Sequence, residues 1–187
     1  MHKTIILISI LAFSACSGDK KESITTINYE PSKDKVDLNI SFVDKKWDGK
    51  VVPKDEICSD HHAGGGHSPS LKISNLPAKT NYIIMAFSDE TFKGMRDGGH
   101  GTVGYEIKAK GTTVTIPSIK GETFTLPTGF SSIREHQGVQ FGKKEGAYLP
   151  PCSGGGGNHY SVNVKAVDKT ADKNTILGEA DLSLGNY

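Results

Sequence analysis

Apolar and polar residues alternate over short stretches broken by glycine, proline and asparagine, a rhythm that predicts strands. Val36, Leu38, Ile40 and Phe42 interleave with Asp37, Asn39 and Ser41, as in a strand with one face on a core and one in water. The run 82–87 is continuously apolar and short, which predicts a strand buried on both faces. Residues 112–116 alternate until Pro117 stops them. Tyr160, Val162, Val164 and Ala166 alternate with Ser161, Asn163 and Lys165, and 177–184 carry a weaker strand or turn pattern. Helical periodicity is poor, with room for a turn or two only around 89–97 and 168–174. The loops 61–69, 98–101 and 149–157 are rich in glycine, proline and histidine, and no internal repeat is evident. The expectation is a mainly β domain, a β-sandwich whose functional loops gather near one end.

Composition adds little to this. Hydrophobic residues make up 35% of 187, enough for one core, and 22 glycines suit short strands joined by turns. A formal net charge of +1 gives no footprint for nucleic acid and no acidic tail.

The N-terminus changes the picture. Lys3 precedes an apolar run at 5–13, too short for a stable bilayer span, and Ser14 and Ala15 lead into Cys16. This resembles a bacterial lipobox, with Phe13 where Leu is usual. Residues 1–15 are then a lipoprotein-type signal peptide, Cys16 carries the lipid, 16–26 form a flexible polar tether and 27–187 the domain. An ordinary cleaved signal with an incidental cysteine is the alternative. Either way the chain is expected to be exported, and with the lipid it sits on the cell envelope, at its periplasmic or surface face.

Cys58 and Cys152 are the other cysteines. In an oxidising compartment two cysteines often pair, and a bridge here would stabilise by ~4 kcal/mol on the chain-entropy model. Two free buried thiols remain the alternative, because spacing alone does not bring the Cα atoms within reach.

Three chemistries compete for the loops. His61, His62 and His67 offer imidazoles for a metal such as zinc, copper or iron, but adjacent histidines on a strand diverge, and no HExxH or CxxC pair is present. Ser153 is a nucleophile only in principle, since GxSxG is absent. The third is an anion site. Asp89 ends the buried strand, His100 lies in a glycine loop, and Gly154 and its neighbours expose backbone N–H groups before Tyr160. Imidazole and loop N–H groups hold phosphate or sulfate, and a nearby carboxylate would raise the imidazole pKa and fix its tautomer.

The order of these motifs resembles the phosphatidylethanolamine-binding protein (PEBP) family, especially its bacterial YbhB/YbcL branch. The stretch from Ser68 to Pro77, SPSLKISNLP, is similar to the family's SPxLxWxxxP segment. Ser88, Asp89, Glu90 and Thr91 stand at its DPDxP motif without the prolines, and Gly98-Gly99-His100-Gly101 at its Trp-His loop without the tryptophan. Pro150, Pro151 and Cys152, followed by glycines and Asn158-His159-Tyr160, resemble its proline and His-Arg-Tyr motifs. Asp168 and the ending from Ile176 to Tyr187 complete the series.

The resemblance implies a PEBP-like antiparallel β-sandwich with a few short helices and a small anion pocket at one end. Carried over by motif, Asp89, His100, Pro150, Pro151 and Tyr160 belong to that pocket. Counting back from Asp168 puts Asn158 at the second histidine position, and a one-residue shift in the glycine loop puts His159 there. The family is described as binding phospholipid headgroups and inhibiting kinases or proteases. The expected function is a non-enzymatic, membrane-anchored binder of a small anionic ligand or phospholipid headgroup, with no cofactor. The alternatives are a protein-interaction or hydrolase-inhibitor module with a vestigial pocket, and a metal-dependent enzyme using the loop histidines.

Overall fold

The computed structural model of the chain describes residues 29–108, 111–171 and 173–187. The expected signal peptide, Cys16 and the tether lie outside the described residues. Nine strands are present: β1 (Tyr29–Asp37), β2 (Asn39–Phe42), β3 (Leu71–Ser74), β4 (Tyr82–Asp89), β5 (Thr102–Glu106), β6 (Thr113–Ile116), β7 (Phe130–Arg134), β8 (His159–Lys169) and β9 (Asn174–Asn186). They form a six-stranded sheet in the order β1-β9-β8-β4-β5-β7 and a three-stranded sheet in the order β2-β3-β6.

The alternating stretch at 36–42 is two strands. Leu38 donates its N–H to the Glu179 carbonyl at 3.1 Å, and beyond it the chain leaves β9 and pairs with β3 in the other sheet. Both halves face the same core, so the alternation runs through the switch unbroken. Every neighbouring pair is antiparallel except β1 on β9, which is parallel. The expected mainly β, antiparallel architecture with short helical turns is thus observed, with one parallel pair added: β1 and β2 follow one path, and aligning β2 against β3 sends β1 alongside β9.

The core lies between the sheets. Ile83, Met85 and Phe87 of β4 stand opposite Ala166, Val164 and Val162 of β8, and this layer packs in one cluster with Leu71, Ile73 and Ile116 of the small sheet. Removing each such side chain from water stabilises by about 1.5–3 kcal/mol. Tyr82 and Ile84 turn to the outer face and pack with Val167 and Tyr29, which accounts for the apolar run at 82–87.

The weak pattern at 177–184 is the middle of β9, at 13 residues the longest strand. Its Gly178 lies under Leu38, where a Cβ would come within 2.7 Å of a Leu38 methyl. Close approach of β1 therefore took an apolar position out of the pattern. Of the two expected helical turns, 89–97 contains a short 3-10 turn (Lys93–Met95), whereas 168–174 is the β8–β9 hairpin, with Lys169 opposite Asn174. A second 3-10 turn, Gln137–Phe141, follows β7.

Candidate functional site

The end of β4 and the start of β8 meet where Asp89 pairs with Tyr160. Asp89 is 3% exposed, and its carboxylate has three N–H donors. Oδ1 accepts from the backbone of Thr91 and Phe92, both at 2.9 Å, which turns the chain sharply out of β4. Oδ2 accepts from Asn158 Nδ2 at 2.6 Å.

His100 sits beside this carboxylate on a loop that can only be glycine-rich. Gly101 has φ +111°, and a Cβ there would lie 2.1 Å from the Ala147 carbonyl oxygen. That closeness lets residues 100 and 149 lock together, Leu149 N–H donating to His100 O at 2.9 Å. His100 Nδ1 in turn donates to Leu149 O at 2.8 Å. Burial pushes the His100 pKa down from 6.5 to about 4, against the opposing pull of the Leu149 carbonyl and the Asp89 charge. The ring is therefore neutral at pH 7 with its proton on Nδ1, and Nε2 is a hydrogen-bond acceptor. This departs from the expected roles: the Leu149 carbonyl, not Asp89, fixes the tautomer, and burial outweighs the carboxylate.

Tyr160 closes one wall, its ring edge-on to His100 with centroids 5.2 Å apart. Its hydroxyl accepts from Cys152 N–H at 3.2 Å and lies beside the Ser153 side chain. Burial raises its pKa. Asp89, His100, Asn158 and Tyr160 line a cavity of about 110 Å³. Met95, Leu149 and Gly138 supply apolar wall, while Phe92, Phe141 and Lys143 stand at its mouth.

The other sequence-derived residues fall elsewhere. Pro150 packs on Gly121, Pro151 accepts from Cys58 N–H at 3.0 Å, and neither lines this cavity. His159 turns away, its Nδ1 3.1 Å from Asn186 Oδ1 and its N–H on Thr91 Oγ1. The glycine loop thus presents Asn158. Motif reasoning missed the mouth: Phe92 and Phe141 are 44% and 45% exposed, with ring centroids 5.1 Å apart. Exposed aromatic residues outside any strand pattern were the available signal.

The competing chemistries look different in three dimensions. Ser153 Oγ donates to the Tyr187 carbonyl at 2.5 Å, and among the described residues no imidazole bonds to it as a base. His61, His62 and His67 do not converge: the His67 ring lies 3.4 Å from Glu56. Cys58 and Cys152 are bridged, with Cα atoms 5.2 Å apart, which resolves the open alternative. His136 is buried and structural. Its Nδ1 accepts from Gly138 N–H at 3.1 Å and its Nε2 donates to Lys144 O at 3.0 Å, and burial lowers its pKa.

A larger groove, of about 620 Å³, crosses the outer face of the six-stranded sheet. Glu179 there is paired with Lys35 and Lys165, while Glu90 and Asp181 accept from Ser161 and Asn163. Burial acts to raise the Glu179 pKa, but hydrogen bonds from Lys35, Lys165 and Asn163 prevail and hold it at about 2. The smaller cavity is the better ligand site because it gathers the buried polar side chains of Asp89, His100 and Tyr160 around one space.

Fold and cavity together define a two-sheet β protein with a half-open cavity at one end of its larger sheet. No protein-family model matches the chain, and no curated protein matches it at a significant level. Among solved structures it is similar to a protein described as a phosphatidylethanolamine-binding protein homologue from Chlamydia trachomatis, with 17% identity and a TM-score of 0.48, over 81% of this chain and 97% of that one.

Proposed function

We propose that the protein is a non-enzymatic binding protein of the PEBP type, exported and held on a membrane of the cell envelope by lipid at Cys16, whose cavity takes a small phosphate-like headgroup. The observation that carries this reading is the convergence of Asp89, His100, Asn158 and Tyr160 on one buried space of about 110 Å³. At ~30 Å³ per water molecule, that volume suits a phosphoryl-sized group. The ordered series of sequence motifs supports the same reading. Ser153 is engaged by Tyr187, which leaves the cavity without an activated nucleophile.

The imidazole acceptor selects the form of the ligand. The His100 Nε2 lone pair requires a hydrogen, so a phosphate monoester binds as the monoanion, its single P–OH donating there, while Asp89 keeps its own three N–H donors. The remaining oxygens accept from the Tyr160 hydroxyl. Because the second pKa of such a monoester is about 6, affinity rises as pH falls from 8 towards 6.

An NMR titration of the mature chain with phosphate and phosphoethanolamine tests this reading. Saturable shifts at His100 and in the glycine loop, tighter at pH 6 than at pH 8 and lost in His100→Gln, are expected. Flat spectra at millimolar ligand would sink it. They would favour an interaction module, for which the exposed Phe92–Phe141 pair is the supporting observation, aromatic residues being enriched in protein interfaces.

A further inference from the structure

We propose that Cys58, His61 and Cys152 form a redox-gated zinc site, closed while the disulfide is intact and opened when it is reduced. The reading is independent of the headgroup cavity.

One ligand atom from each of the three residues lies within 4.8 Å of the others, the one such group among the described residues. The local sequence, Cys58-Ser-Asp-His61, folds as a tight knuckle: the N–H groups of His61 and His62 both donate to the Cys58 carbonyl at 3.0 Å. This places the imidazole on the same side as the Cys58 sulfur. Cys58 N–H donates to Pro151 O at 3.0 Å and so ties the knuckle to the loop that carries Cys152.

Gly154 leaves room beside the His61 ring, since a Cβ there would press on it at 3.3 Å. The ring is exposed and makes no hydrogen bond among the described residues. Asp60, between the two knuckle ligands, is committed to Lys143 at 2.7 Å and is not a competing ligand.

Two thiolates and one imidazole, with the fourth position open to water, are a known zinc donor set. Loading proceeds in two balanced steps. A dithiol reductant gives two electrons and two protons, the Cys58–Cys152 bond breaks, two thiols form, and the reductant closes its own disulfide. Zn(II) then displaces both thiol protons, forming two Zn–S bonds and one Zn–N bond to neutral His61. Cys58 packs with Met95 and Leu149 in a buried cluster, which holds its position after reduction. Cys152 also lines the headgroup cavity and donates to Tyr160, so metal loading reaches the cavity wall.

Cobalt(II) serves as the optical probe. Mature chain reduced with a dithiol and desalted without air is expected to bind one equivalent, with thiolate charge-transfer and tetrahedral d–d bands. The oxidised chain shows neither. His61→Ala weakens binding at least tenfold, while His62→Ala binds as wild type. Circular dichroism of the reduced, metal-free chain reports whether the sheets persist. Loss of the β signature on reduction overturns the proposal, as does equal cobalt affinity in His61→Ala and wild type.

Discussion

Asn158 Nδ2 donates to Asp89 Oδ2 at 2.6 Å, joining the glycine loop before β8 to the end of β4. This bond sets the register of a loop whose four glycines otherwise specify little, and it turns His159 outward. Replacing Asn158 by Ala removes one of three donors to a buried carboxylate, at a cost of about 1–2 kcal/mol. Asn158→Asp is expected to be worse, because it sets a second carboxylate against the first. Urea unfolding checks the ranking, and an Asn158→Asp midpoint equal to that of wild type would show that the bond contributes nothing.

Burial of neutral His100 makes stability pH-dependent in a definite direction. The folded-state pKa of about 4 lies below the ordinary value of 6.5. Between those values the unfolded chain binds a proton that the folded chain refuses. The His100 contribution is therefore complete above pH 6.5 and is lost as pH falls to 4. At about 1.4 kcal/mol per pKa unit, the loss is roughly 3 kcal/mol. Carboxylates titrate in the same range, so the informative quantity is the difference between wild type and His100→Gln in urea unfolding from pH 7 to pH 4. That difference should shrink on acidification; a constant difference would mean that the folded and unfolded chains protonate His100 alike.

Much of the fold was legible because its core strands bury one or both faces. β4 and β8 carry unambiguous apolar patterns, and the structure pairs them directly. What escaped was set by partners distant in sequence. β7 is almost wholly exposed and has no apolar face to read, and the break at Leu38 depends on a bond to Glu179. At the site, Asp89 was visible as the end of an apolar run, His100 by its glycine neighbours, and Asn158 and Tyr160 by the passage from glycines into an alternating strand. The roles of Asp89 and the Leu149 carbonyl towards His100 were not. A backbone acceptor has no sequence signature, and burial sets the sign of the His100 shift.

Glycines around the cavity divide into those that packing demands and those that only turn the chain. Gly101→Ala would drive a methyl into the Ala147 carbonyl, 2.1 Å away, and break the ladder that holds His100. A loss at the upper end of the 1–3 kcal/mol typical of overpacking is expected, together with loss of ligand shifts. Gly155→Ala has φ +81° but meets nothing within 4 Å. Left-handed strain alone, about 1–2 kcal/mol, should follow, with the cavity intact. Thermal melts and the phosphate titration on both variants separate the two effects; equal damage to binding would place the glycine loop, not the His100 ladder, at the centre of recognition.

Tyr29, the first described residue, and the cavity lie at opposite ends of the large sheet. Tyr29, where the described chain begins, packs on Tyr82 at the start of β4, whereas the cavity opens at Asp89, the last of that strand's 8 residues. At ~3.3 Å per residue, the two ends are roughly 23 Å apart. On the proposed anchoring at Cys16, the expected arrangement is the cavity end away from the bilayer, with soluble headgroup-like ligands reaching it more readily than lipids of that bilayer. The check is a lipidated chain in vesicles with spin-labelled headgroups and a fluorophore at Lys79→Cys or at Lys93→Cys. Quenching should be strong at Lys79, near the start of β4, and weak at Lys93, beside the cavity mouth. The reverse order would mean that the domain folds back on its tether, and would make a membrane lipid the more accessible ligand.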